Sequence, residues 1–384
     1  MKKILAAIIL CFLAFNINAQ QTAQYNYHIF DDYLLNPSYV GTQNYYSVLV
    51  GRDQRFYGLT NSSPQTYFLS VHSRVGEGYV FKKDGKINEF FRKFGNVAFG
   101  LQFYQYMYGP ERETNIGFTY GYHLDLKPNF KRKNPRKLIL SLTPRLQGMW
   151  VSAKDLHLIS NSIGDDDPNK IFYDPALGEY TSYRSWMFTA DVAALFQTIH
   201  MDAGLGAMNL VQTKNKLESL YYYKPNDSIA YSIYDTLYPM KIYANAKLKF
   251  LDIYSSDQLD VYFIPSVAAL YYTKRNCMEF FADLMLESTF KKTIAGVRKE
   301  IQFVGQLGLN INHRREYTPV TLLQPYFALD FKNYTITYAH SFYLENDLVH
   351  SGAAIGGNQI TFLFKINRDR VVREQQYQQK FLSW

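Results

Sequence analysis

Cysteine is nearly absent, with two in 384 residues. Cys11 lies in the N-terminal apolar stretch, so the rest of the chain holds Cys277 alone and closes no internal disulfide; a lone cysteine of this kind reads as a small buried side chain. Charge of one sign is also lacking: 41 basic residues face 33 acidic ones. So mild an excess, with no basic stripe, excludes nucleic acid as a partner. Past the N-terminus there is no apolar run of helix-spanning length, which excludes a helical membrane protein. The eight histidines are scattered, with no pair at i, i+2 or i, i+4 and no HExxH, so neither a metal site nor a cofactor is expected. There is no Gly-rich phosphate loop; the stretch at 296–308, GVRKEIQFVGQLG, has the look of a strand. No motif poises a Ser or Asp beside His, so the reading is non-enzymatic. A hydrolase would need a buried Ser/His/acid cluster at a rim.

The N-terminus supplies a compartment. Lys2 and Lys3 precede an apolar stretch at 4–15, and Ile17, Asn18 and Ala19 lead to Gln20. This is the pattern of a secretory signal, residues 1–19, cut after Ala19. About a dozen apolar residues are too few to span a bilayer. Cys11 lacks the small preceding residue of a lipidation site, since Leu10 stands there. Cleavage removes Lys2 and Lys3 and leaves 39 basic residues against 33 acidic.

Aromatics are what the chain has in excess: 34 Tyr, 28 Phe and 3 Trp, more than one core needs. Many fall on one side of alternating stretches. At 115–126 Ile116, Phe118, Tyr120, Tyr122, Leu124 and Leu126 share a face, with Gly117, Thr119, Gly121, His123 and Asp125 opposite. The same period of two recurs at 97–104, 334–342 and 359–366, which argues strands. A soluble sandwich turns a charged face outward. Here the second face is Ala98, Gly100, Gln102, Thr335, Thr337, Ala339 and Ser341, small or polar, as in a barrel whose apolar face meets lipid. Only closure pairs every strand backbone in hydrocarbon. The fold class is therefore all-β: a transmembrane antiparallel β-barrel of about fourteen strands over 44–366, with a short C-terminal extension at 367–384. Short turns near 198–199, 252–257 and 332–333 fall on one side and read as periplasmic. The long connections 152–183, 211–239 and 344–357 fall on the other. The basic stretches at 82–93 and 131–137 are then periplasmic too. In the outer loop, GDDDPN at 164–169 offers Asp165 and Asp167 to a hard cation but lacks the DxDxDG spacing; a solvated acidic turn is the simpler reading.

Between signal and first strand stands a segment, 20–43, with a corner in it: Asn36, Pro37, Ser38, Tyr39, Val40 and Gly41. Pro37 fixes φ and pushes Asn36 toward an extended shape, and Gly41 permits a backbone angle other residues avoid. This stiff bend delivers 45–50 into the first strand. It reads as a lead-in corner plugging the lumen floor or as a partner-binding corner. Arg52, Gln54 and Gly58 follow, then Ser63, Pro64, Gln65 and Thr66, then Ser70 and His72. With Tyr67, Leu69 and Val71 facing lipid, His72 faces the lumen, where it closes a polar network.

Taken together, YNYHIFDDYLLNPSYVGT, RDQRFYG, SSPQTYFLSVHS and the closing GGNQITFLFKI resemble the PorP/SprF family of type IX secretion outer-membrane proteins. The family pattern has N-P-A-Y-A-G, R-x-Q-W-x-G and A-P-x-T…S-x-H. Here Ser38 and Val40 replace two alanines, and Arg55 and Tyr57 are off pattern. The resemblance implies an outer-membrane barrel in lipid that helps particular secreted cargo proteins, such as gliding adhesins, reach or stay on the cell surface. It implies as partners the type IX translocon, its periplasmic lipoprotein ring and a peptidoglycan-binding protein. It also marks Asn36, Pro37, Tyr39, Gly41, Arg52, Gly58, Pro64, Thr66, Ser70 and His72 as partner-contact candidates. The alternative is a porin-like channel for small solutes, which would have an open lumen. Beyond the family pattern, Tyr377, Phe381 and Trp384 sit at i, i+4 and i+7, one face of a helix. They are candidates for docking on a periplasmic partner or for lying at the inner membrane surface.

Overall fold

A computed structural model describes residues 31–43, 45–55, 63–75, 96–108, 111–126, 136–152, 182–213, 240–249, 251–273, 277–294, 298–315, 320–331, 333–344 and 356–367. The strands are β1 (Tyr45–Gln54), β2 (Gln65–Arg74), β3 (Val97–Tyr108), β4 (Glu111–Asp125), β5 (Lys137–Ser152), β6 (Ser182–Gln197), β7 (Met201–Gln212), β8 (Lys241–Leu248), β9 (Leu251–Ser255), β10 (Leu259–Tyr272), β11 (Cys277–Ile294), β12 (Arg298–Arg315), β13 (Val320–Asp330), β14 (Tyr334–Tyr343) and β15 (Gly357–Asn367). Each pairs antiparallel with its neighbour in sequence, except that β8 and β9 lie end to end along β10. β15 returns to β1 over a full register, Tyr45 opposite Asn367 through Gln54 opposite Asn358. Fourteen strands thus close a ring, and β9 is an extra.

Alternation decides which side chain faces where. Phe99, Leu101, Ile116, Phe118, Tyr120, Tyr122, Ile360, Phe362 and Phe364 are exposed on the outside, and Ala98, Gln102, Thr119, His123, Gln359 and Thr361 are buried within. The lumen is fuller than a polar, small-residue face implies. Phe68, Tyr104, Tyr243, Tyr262, Tyr272, Phe281 and Tyr326 also point inward and are buried. Several lean over a glycine directly across the ladder: Phe68 over Gly51, Tyr243 over Gly206 and Tyr326 over Gly308. Val97, expected to share the outward face of Phe99, is buried instead.

β1 and β15 meet at what we term the terminal rim; the opposite end is the distal rim. The terminal rim carries the connections 198–200, 256–258, 295–297 and 331–333, and also 75–96 and 126–136. The distal rim carries 153–181, 213–240 and 344–356, but also the short 109–110, 273–276 and 316–319. Loop length therefore separates the rims less cleanly than the sequence suggests. Where a turn was expected at 252–257, β9 occupies 251–255 and the turn is 256–258. The signal region, the acidic stretch 164–169 and the tail candidates Tyr377, Phe381 and Trp384 lie outside the described residues.

Candidate functional site

The corner lies inside the barrel. Asp31 caps a single helical turn, α1 (Asp32–Leu35), its Oδ1 accepting from Tyr33 N at 3.1 Å. Asn36, extended as a residue before proline must be, caps the 3₁₀ turn Pro37–Tyr39, its Oδ1 accepting from Ser38 N at 2.9 Å. Gly41, at φ +65°, then releases the chain toward β1. Two caps, one proline and one glycine thus fold a short stretch without help from a longer helix. Tyr33, Asn36, Pro37, Ser38, Tyr39 and Val40 are all buried.

The wall is cut to receive it. A Cβ on Gly100 would fall 2.2 Å from Tyr33 Oη, one on Gly121 2.3 Å from a Val40 methyl, and one on Gly204 2.2 Å from Asn36 Nδ2. Three glycines on three strands therefore make the seat. Around it the polar groups of the corner find partners on four staves, β3, β4, β5 and β8. Tyr33 Oη donates to Thr119 Oγ1 at 2.8 Å, and Gln102 Nε2 donates to Tyr33 O at 2.7 Å. Asn36 Nδ2 donates to Asn245 Oδ1 at 2.9 Å, and Tyr243 Oη donates to Asn36 Oδ1 at 3.2 Å. Ser38 Oγ and Ser141 Oγ share a hydrogen bond at 2.9 Å, and Asn245 Nδ2 donates to Tyr39 Oη at 3.1 Å. Lys247 Nζ meets Asp32 Oδ2 at 2.8 Å. Leu35 packs with Tyr243, Leu270, Tyr272 and Phe281, and Val40 with Ala98, Ile139 and Leu195.

Two histidines hold the end of the corner. Gly41 N donates to His72 Nδ1 at 3.2 Å, which leaves the His72 proton on Nε2, 3.4 Å from Asp31 Oδ2. Ser70 Oγ donates to the same Asp31 oxygen at 2.8 Å. His123 Nε2 lies 2.9 Å from the Val40 carbonyl, an acceptor, so it carries the proton there. Burial pushes the Asp31 carboxyl up, but His72 and the hydrogen bonds from Ser70 and Tyr33 N outweigh that and hold it below its ordinary value of 3.8. Burial pushes the Tyr33 and Tyr39 hydroxyls well above theirs, so both stay protonated. These groups position the backbone of the corner.

Of the sequence candidates, Asn36, Pro37, Tyr39, Gly41, Ser70 and His72 come together in this seat. Arg52 does not: it lies exposed on the outer face, bonding Gln54 and Gln65 and stacking over Tyr67. Pro64 and Thr66 lie toward the distal end of β2, the Pro64 carbonyl accepting from Arg55 N at 2.9 Å. Gly58 lies outside the described residues. Sequence reading missed Gln102, Asn245 and Lys247. It also missed Arg145, which pairs with buried Asp191 and donates from Nη2 to Gln102 Oε1 at 2.9 Å. Asp191 and Tyr33 O are thereby linked through Arg145 and Gln102. Two cavities flank the corner, of about 30 and 20 Å³. Such volumes hold a water or two.

Residues 17–317, most of the chain, match the family described as type IX secretion system membrane protein PorP/SprF. The chain belongs to that family. It is an outer-membrane β-barrel of the type IX secretion class. No curated protein matches it. Among solved structures, it is similar to a bacterial polysaccharide outer membrane secretin, at 9% identity over 84% of this chain and 99% of that one, TM-score 0.34. A FadL homologue from Pseudomonas aeruginosa gives 10% identity over 84% and 89%, TM-score 0.39. OprB from Pseudomonas putida gives 7% over 92% and 100%, TM-score 0.33.

Proposed function

We propose that this PorP/SprF barrel acts by binding proteins, assisting the export or surface attachment of particular secreted cargo such as adhesins, and that it neither catalyses a reaction nor conducts small solutes. The observation that carries the reading is the filled lumen. A diffusive porin keeps a water-filled path, whereas here the corner touches staves around most of the ring and fits glycine gaps in the wall. In this reading the terminal rim faces the periplasm, toward the translocon, its lipoprotein ring and a peptidoglycan-binding protein, and the distal connections face the cargo. The corner then serves as a rigid floor that keeps the barrel closed while its ends engage partners.

Purification of the full barrel from native outer membranes, with mass spectrometry of what accompanies it and planar-bilayer conductance of the same material, tests this. Secretion components in the preparation together with a closed channel are expected. A steady open conductance with no secretion component accompanying the barrel would make it a porin.

A further inference from the structure

Four strands reach past the terminal rim. β7 begins at Met201 opposite Leu248, yet the chain continues through β9 to Ser255. On the other flank β13 ends at Asp330 opposite Val304, while β12 extends back to Arg298. Barrel tilt offsets successive turns in one sense only; an overhang on both flanks is instead a lobe made of β9, β10, β11 and β12. β9 is its edge. Among the described residues it pairs with β10 and no other strand, with a bulge at Ile253.

All five β9 residues, Leu251, Asp252, Ile253, Tyr254 and Ser255, are exposed, Ile253 at 60% and Tyr254 at 53%. Sheets guard such an edge with lysine, proline, bulges or short length; β9 has the bulge and is five residues long, but it has neither lysine nor proline. Its position carries a cost in either solvent. In hydrocarbon the backbone groups pointing away from β10 would go unpaired; in water the apolar side chains would be bare. One added strand relieves both.

We infer that β9 is a strand-addition site, and that its occupant is an extended segment of a separate protein, with alternating apolar residues and a lysine or arginine opposite Asp252. The charge follows from the neighbourhood. Lys249 is already paired with Asp202 at 2.6 Å, and Lys291 with Asp260, so Asp252 is the charge β9 presents. A second copy is a poor occupant. Two barrels in one bilayer share the direction of the membrane normal, so a two-fold about that normal makes tilted β9 strands cross instead of aligning. The site lies at the rim, apart from the lumen, and does not depend on the cargo reading above.

The test places the photocrosslinker p-benzoylphenylalanine at Tyr254 in the full chain, in cells, with the same probe at the outward mid-wall position Val267 as control. The expected product, mapped by mass spectrometry, is an adduct to one extended segment of another protein carrying the stated pattern, absent from the Val267 control. Ile253→Pro should lower its yield by roughly tenfold, since proline removes an edge donor. If that variant does not assemble, Asp252→Lys should lower the yield while Asp252→Asn lowers it less. Adducts only to lipid, adducts to another copy of this chain, or a yield that neither Ile253→Pro nor Asp252→Lys changes in assembled barrel would overturn the inference.

Discussion

At the scale of single residues, inside and outside of this barrel make different demands, and neighbours on β4 expose the contrast. Phe118 is 49% exposed on the outer face; Phe118→Lys should cost about 2–4 kcal/mol near the membrane midplane. Thr119, read as a lumen position, would accept lysine better than Phe118 unless it is packed. The structure shows that it is packed. Thr119 is fully buried, accepting from Tyr33 and bonded to Thr143 Oγ1 at 2.9 Å, so Thr119→Lys should dislodge the corner as well. Thr119→Ser, which keeps the hydroxyl, should be nearly silent. Heat-modifiable electrophoretic mobility, which separates folded from unfolded barrel, reads all three; free acceptance of Thr119→Lys would mean the corner is not seated. Arg145 gives a second case. Removing it as Arg145→Ala leaves Asp191, a fully buried carboxylate, with the Asn209 N–H but without Arg145's charge, and breaking such a pair costs about 3–5 kcal/mol. The midpoint of urea unfolding in detergent should fall accordingly, and adding Asp191→Ala to the same chain should recover part of the loss. What the sequence could reveal at this scale was facing, since alternation sets it. What it could not reveal was partnership: nothing in the spacing of Asn36 and Asn245, more than two hundred residues apart, announces that their side chains meet.

Elements were far more legible. Fourteen of the strands stand close to where alternation of aromatic and small residues puts them, because in lipid the outward face is held apolar along every stave. β9 escaped notice since its two neighbours in sequence, β8 and β10, already account for the hairpin. The corner was legible as a bend from Asn36, Pro37 and Gly41, and a lumen plug was one of its two readings, but the wall residues that seat it were not. A usable signal existed: Gly100, Gly121 and Gly204 all belong to inward positions, and a barrel of this width needs no glycine there unless something fills the space. The corner's docking is therefore open to attack from the wall. Gly121→Val should push out Val40 and open the channel without touching the corner itself, while Gly305→Ala, whose added methyl would meet nothing within 4 Å, should leave conductance unchanged. Acid offers a second route. Because Asp31 is held below 3.8, it contributes stability that is fully present above that ordinary value and is lost as pH falls through the lowered one. Closure should then persist from neutrality through the ordinary carboxylate range and fail only beneath it. A conductance series against pH checks this, and opening near pH 6 would assign the latch to a histidine instead.

For the whole molecule, ring closure separates what folds the barrel from what it carries. β15 finishes at Asn367, already paired with Tyr45 of β1, and its Phe364 is paired with Tyr334 of β14. Every stave is satisfied before residue 368. The extension 368–384 is therefore not needed to complete the sheet, and the chain leaves β15 at the same rim as the β9–β10 turn. We propose that its Arg368, Arg370, Arg373 and Lys380, with Tyr377, Phe381 and Trp384 at helical spacing in the sequence, serve docking on a periplasmic protein rather than anchoring, because the barrel already holds the chain in the membrane. Deletion of 369–384 should leave heat-modifiable barrel in the outer membrane at normal abundance while reducing what co-purifies from the periplasmic side. The orientation assumed here has its own check, protease added to intact cells. Cleavage within 211–239 but not within 82–93 is expected, and the opposite pattern would turn the barrel over and place the tail outside. A truncated chain that fails to assemble at all would give the tail a different role, as the signal read during insertion, and the docking idea would fall with it.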